Sequence, residues 1–153
     1  MVNFSFRAAT APAYSSRMAA EIFRHTYRVT YADCTMGNHV YYARYLEILE
    51  AARNEFFRSL GTTCLEWQLR DVVFPVIECR LRYKSPARYD DVLAIEVWLT
   101  AAHGVRLNFA FRLANQNGVL ILEGETLHVC AGINEKPKRL PPELTEKLHG
   151  YLQ

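Results

Sequence analysis

Residues 42–60 read as a long amphipathic helix in a chain otherwise patterned for strands, and that contrast limits the folds open to it. Leu46, Leu49, Ala52, Phe56 and Leu60 recur at three- to four-residue spacing, while Arg44, Glu47, Asn54 and Arg58 fall largely elsewhere on the helical wheel. Gly61 directly after Leu60 is a good helix stop. A helix of about 18 residues is about 27 Å long, enough to cross a whole sheet.

The segments around it alternate with period two. Phe23, His25, Tyr27, Val29 and Tyr31 alternate with Arg24, Thr26, Arg28 and Thr30, the pattern of a half-buried strand. A loop over 32–38 follows, with Gly37 and Asn38 as turn residues. After the helix, strands are predicted over Val72–Tyr83, Val92–Thr100, Arg106–Leu113 and Val119–Ile133. Asp90-Asp91, His103-Gly104 and Asn115–Gly118 supply the turns. Gly124 marks a bulge or a close approach, and a short helix over Pro142–Leu152 closes the chain. The order is strand, long helix, then four strands in a meander. This gives an α+β fold, one helix packed on a five-stranded antiparallel sheet. Trp98, Val92 and Phe74 are expected on the sheet's other face, which calls for a partner subunit or further cover.

Composition bounds the function. The 153 residues are half apolar, and 18 basic against 16 acidic residues leave a charge of +2, which gives no argument for nucleic acid or an anionic membrane. No apolar run approaches the ~20 residues needed to span a bilayer. Cys34, Cys64, Cys79 and Cys130 form no CxxC pair, which speaks against a structural zinc site. No secretory apolar segment is present, so free thiols in a reducing, cytoplasmic setting are expected. Residues 1–20 hold Arg7 and Arg17 and no acid. They read as an N-terminal extension with a faint likeness to an organelle transit peptide, and residues 21–153 as a single domain.

The loop and helix carry a specific resemblance. Asp33-Cys34-Thr35-Met36-Gly37-Asn38-His39-Val40-Tyr41-Tyr42-Ala43-Arg44-Tyr45-Leu46-Glu47 resembles the signature of the 4-hydroxybenzoyl-CoA thioesterase family. That signature is D-x-D, a Gly-containing loop, then V-[YNW]-[HNY]-x-x-Y-L. Glu50-Ala51-Ala52-Arg53 matches the E-x-A-R pattern that follows, and the likeness continues at Tyr83–Ala87, Tyr89–Leu93 and Lys136–Pro141. The resemblance implies the hot-dog fold, in which the sheet wraps one long central helix. It also implies hydrolysis of acyl-CoA or acyl-carrier-protein thioesters without metal or cofactor. A carboxylate, the second Asp of D-x-D, acts there as base or nucleophile. A backbone N–H at the start of the helix, near Tyr42 here, polarises the thioester carbonyl.

The sequence departs from the family at that carboxylate. Counting back from Val40-Tyr41-Tyr42 puts the position on Thr35, and Asp33 matches the first Asp instead. A threonine hydroxyl holds a water but is no unassisted base at neutral pH. Three routes stay open. The register shifts and Asp33 serves. Or Thr35 holds a water while the helix dipole and Arg53 stabilise the oxyanion, similar to enediyne polyketide thioesterases, which also lack the carboxylate. Or Glu50 is the base, or the protein binds an acyl thioester without cleaving it. Glu50 and Arg53, three apart, are equally read as an ordinary intrahelical ion pair. His39 reads as a loop-fixing residue, His128 as a satisfied interior histidine, and Cys34 as a thiol without a base. A loop motif of hot-dog hydratases is absent. Lys84, Arg88, His103 and Arg106 are the implied contacts to CoA phosphates, and a homodimer or homotetramer is the implied assembly.

Overall fold

A computed structural model describes residues 20–153, so the extension expected over residues 1–20 lies outside the described residues except for Ala20. Five strands form one antiparallel sheet: β1 (Phe23–Arg28), β2 (Val76–Tyr83), β3 (Val92–His103), β4 (Arg106–Ala114) and β5 (Leu120–Val129). Helix α1 spans Arg44–Ser59, a short α2 spans Cys64–Leu69, and α3 spans Pro142–Leu148. Among the described residues no helix is long and apolar enough to cross a membrane.

The sheet order is β1-β3-β4-β5-β2, so the predicted four-strand meander is corrected to three. The connection 84–91 is too long for a hairpin turn and carries Pro86, so β2 crosses to the far edge and pairs with β5. The strand expected from Val72 begins at Val76, and helix α2 is not predicted by the alternation. Its signal was present: Thr63 Oγ1 accepts from the Glu66 N–H while the Glu66 carboxylate accepts from the Thr63 N–H, a capping box.

The core lies between α1 and the inner sheet face. Leu93, Ile95, Val97 and Leu99 of β3 and Leu107, Phe109, Phe111 and Leu113 of β4 are buried, as the alternation predicted. They meet Leu49, Ala52 and Phe56, whose ring sits edge-on to Phe109 at 5.8 Å. The buried helical face is centred on Tyr45, Ile48, Leu49, Ala52 and Phe56, so Leu49, Ala52 and Phe56 of the predicted stripe are buried and Leu46 lies at its margin. Leu46 is therefore 45% exposed. It shares a second face with Tyr42, Glu50 and Arg53, at spacings of four, four and three.

The outer face is more polar than the inner one. Phe74 stacks on Phe57, centroids 5.7 Å apart, and so belongs to the helix side. Val92 and Trp98 stay half-buried on the outer face. Beside Trp98 the pairing lines up Arg24, Glu96, Arg112, Glu123 and Arg82 across all five strands, a rung of alternating charge. Gly124 is the predicted close approach: a Cβ there would lie 2.8 Å from the Arg80 carbonyl oxygen and 2.5 Å from Leu81 Cδ2. Gly61 ends α1 with φ of +74°, as its position indicated.

Candidate active site at the start of the long helix

The loop before α1 is a tight turn. Thr35 N–H donates to the His39 carbonyl at 2.9 Å, Asn38 N–H donates to the Thr35 carbonyl at 3.0 Å, and Asn38 has φ of +51°. The 84–91 connection clamps it from outside: Val40 N–H reaches the Ala87 carbonyl at 2.9 Å, and Arg88 Nη1 reaches the Asn38 carbonyl at 3.2 Å. His39 folds back over Gly37, where a Cβ would meet its ring at 2.5 Å. The ring's Nε2 comes to 3.4 Å from Thr35 Oγ1.

Asp33 anchors this loop from beneath. Its side chain is fully buried and every neighbour is a donor. Tyr27 OH (2.8 Å), Thr30 N–H (2.7 Å) and Thr30 Oγ1 (2.8 Å) give to Oδ2. Arg44 gives Nε and Nη2 to Oδ1, each at 3.0 Å. Burial raises the carboxyl's pKa, but the hydrogen bonds from Thr30, Tyr27 and Arg44 outweigh it and hold it below the usual carboxylate range. The Cys34 thiol is pushed up by burial and by the Asp33 and Asp91 carboxylates, the opposite of an activated nucleophile.

Helix α1 then starts without a side-chain cap. Its first turn closes through Arg44 N–H to the Tyr41 carbonyl (2.9 Å) and Leu46 N–H to the Ala43 carbonyl (3.1 Å). Tyr42 N–H has no acceptor among the described residues, while its carbonyl accepts from Tyr83 OH at 2.9 Å. A hollow of about 280 Å³ opens here, lined by His39, Tyr42, Tyr45, Tyr83 and Lys84 among others. Thr35 borders a second hollow of about 630 Å³ with Tyr31, Met36 and Tyr89.

Glu50 and Arg53 lie farther down the same helix face, about 12 and 16 Å from Tyr42 by helical rise. They pair with each other and line a separate cavity of about 330 Å³ with Phe57, Phe74, Val76 and His128. Within one chain, therefore, His39 meets Thr35 and shares a hollow with Tyr42, Glu50 and Arg53 come together, and the two groups stay apart. Asp33 lies beneath the first group with its carboxylate committed. Lys84 and Arg88 flank the helix start, whereas His103 and Arg106 sit on the β3–β4 hairpin at the other end of β3, about 35 Å away.

Thr126 is not among the sequence-predicted site residues, and His128 is expected there only as an interior histidine. Their signal was the alternation of β5, which places both on the inner face with Gly124. His128 Nδ1 lies 2.9 Å from the Phe74 carbonyl and Nε2 lies 2.9 Å from Thr126 Oγ1, so it is the satisfied interior histidine expected. Burial pushes its pKa down to about 4.

The thioesterase-like superfamily matches residues 29–148. The acyl-CoA thioester hydrolase YbgC of Escherichia coli O157:H7 is 34% identical over 128 residues, covering 83% of this chain and 96% of YbgC. The hypothetical protein TT1821 of Thermus thermophilus is 30% identical, with a TM-score of 0.78, covering 84% of this chain and 98% of that one. A 4-hydroxybenzoyl CoA thioesterase solved with 4-hydroxybenzoyl CoA shares the fold at a TM-score of 0.76 and 22% identity, covering 84% of this chain and 99% of that one. The match spans most of the described residues, including the loop, α1 and the whole sheet except β1, and on that ground the chain belongs to the thioesterase-like superfamily of hot-dog proteins.

Proposed function

We propose that this protein hydrolyses acyl thioesters, with acyl-CoA as the donor, at the start of α1. The unpartnered Tyr42 N–H at an uncapped helix N-terminus carries this reading. A thioester carbonyl placed against it gains a hydrogen bond and the helix dipole, and both strengthen as the oxygen becomes an oxyanion. Thr35 Oγ1 and His39 Nε2 face each other across 3.4 Å, and His39 lines the same hollow as Tyr42. A water held by the hydroxyl passes its proton to the imidazole as its oxygen attacks the carbonyl carbon. The C–S bond then breaks and the thiolate takes the proton back from the imidazolium, leaving a carboxylic acid, CoA and neutral His39. His39 thus supplies the base that Thr35 cannot. Lys84 and Arg88 stand at the rim, in reach of the CoA phosphates.

The test is thiol release from a panel of acyl-CoA and acyl-carrier-protein thioesters. His39→Gln is expected to lower kcat about 100-fold with KM nearly unchanged. No release above background from any donor would sink the hydrolase. It would favour binding without cleavage, which the threonine at the carboxylate position also fits.

The working unit is read as a two-fold pair. Val76 and Ile77 on the β2 edge are 49% and 66% exposed, and Tyr42 just before α1 and Leu46 on it add apolar surface. Antiparallel pairing of two such faces brings the helix start of one copy toward Glu50 and Arg53 of the other. Light scattering is expected to give at least twice the chain mass of 17.6 kDa, and Ile77→Lys to shift it toward the monomer. A monomeric, fully active protein would contradict the pairing.

A further inference from the structure

The cavity of about 330 Å³ under the second half of α1 has apolar walls and one buried cation, Arg53, which is 8% exposed. Arg53 Nη2 binds the Glu50 carboxylate, and Nη1 donates to Thr126 Oγ1 at 3.3 Å. Two of its five N–H donors are thus engaged by the protein.

The direction of the remaining bonds is set by chemistry. The Phe74 carbonyl can only accept, so His128 Nδ1 carries the proton. Neutral imidazole then has a lone pair on Nε2, and Thr126 Oγ1–H donates to it at 2.9 Å. With its proton spent on His128, the hydroxyl oxygen turns a lone pair to Arg53. The chain runs one way, Arg53 to Thr126 to His128 to the Phe74 carbonyl. Its end is fixed by backbone just before β2, so the guanidinium is held in one orientation rather than left to swing.

We propose that Thr126 and His128 are positioning residues, which align Arg53 so that its uncommitted N–H donors meet the acyl thioester held at the helix start of the paired copy. The inference rests on the hydrolase reading above and adds a second contact region to it. Glutamine reproduces the Nε2 acceptor of histidine, whereas asparagine reproduces the Nδ1 donor only. Thr126→Ser keeps the hydroxyl, and Thr126→Val keeps the shape without it.

The experiment is a double-mutant cycle on kcat/KM, with thermal midpoints measured alongside. Thr126→Val and His128→Asn are each expected to lower kcat/KM about 10-fold. Thr126→Ser and His128→Gln should stay within about 2-fold of the parent. In an Arg53→Met background, Thr126→Val should cost nothing further, because there is no guanidinium left to align. A merely structural network would give the same loss in both backgrounds and track the midpoints instead, and that result would overturn the proposal. So would an active parent whose Arg53→Met variant loses no activity, which would leave the hydrolase reading standing. A parent without thioesterase activity would remove that reading and this inference together.

Discussion

Asp33→Asn is expected to destabilise the protein by about 3 kcal/mol, nearly as much as Asp33→Ala, although it changes only one atom. All the partners of this carboxylate donate: Tyr27 OH, Thr30 N–H, Thr30 Oγ1 and two N–H groups of Arg44. An amide places an NH2 against donors on one side and removes the charge from all of them. Hydrogen bonds to a charged group contribute about 1.5–3 kcal/mol each, and losing them leaves buried donors unpaired. Urea denaturation reads the change directly. The loop Thr35–His39 is tied to this anchor through Tyr41 N–H, which donates to the Asp33 carbonyl at 2.9 Å, so turnover falls with stability. A variant that melts like the parent yet has lost all turnover would put Asp33 in the chemistry instead.

Acid is expected to weaken the fold well before carboxylates titrate. His128 has a pKa near 4 when folded, against an ordinary value of 6.5. Between those values the unfolded chain binds a proton that the folded one refuses. Stability is therefore full above about pH 6.5, falls as the pH drops through that range, and levels off for this group below about pH 4. The shift amounts to about 3 kcal/mol at 1.36 kcal/mol per unit. Asp33, held below its usual range, adds a loss of the same sign at lower pH. Unfolding free energies at pH 7 and pH 4 check this, with His128→Gln as the control. The variant should lose most of the slope, and an unchanged slope would assign the acid sensitivity elsewhere.

Much of the fold was legible because local pattern and burial coincide. The alternation of Leu107, Phe109, Phe111 and Leu113 named the inner face of β4, and Gly61 named the end of α1. Legibility failed where a choice depends on distant partners. Leu46 is as apolar as Leu49, yet only the sheet beneath α1 decides which of them it covers. The order of strands lies beyond local pattern because adjacent strands in a chain usually pair, and the length of the 84–91 connection rules out a hairpin without saying which strand β2 joins.

The same division runs through the site. That a Gly-containing loop feeds a long helix is read from motif and spacing alone, since both are local properties, and the resemblance to the family points to Thr35 at the carboxylate position and to a backbone N–H near Tyr42. The tertiary structure alone decided what the charged groups do. It buried Asp33 among donors, turned His39 toward Thr35, parted Arg53 from Tyr42 along the helix, and joined Arg53 to His128 through Thr126, 73 residues away in sequence. A carboxylate or an imidazole takes its role from the donors and acceptors around it, and in this fold those come from strands far along the chain.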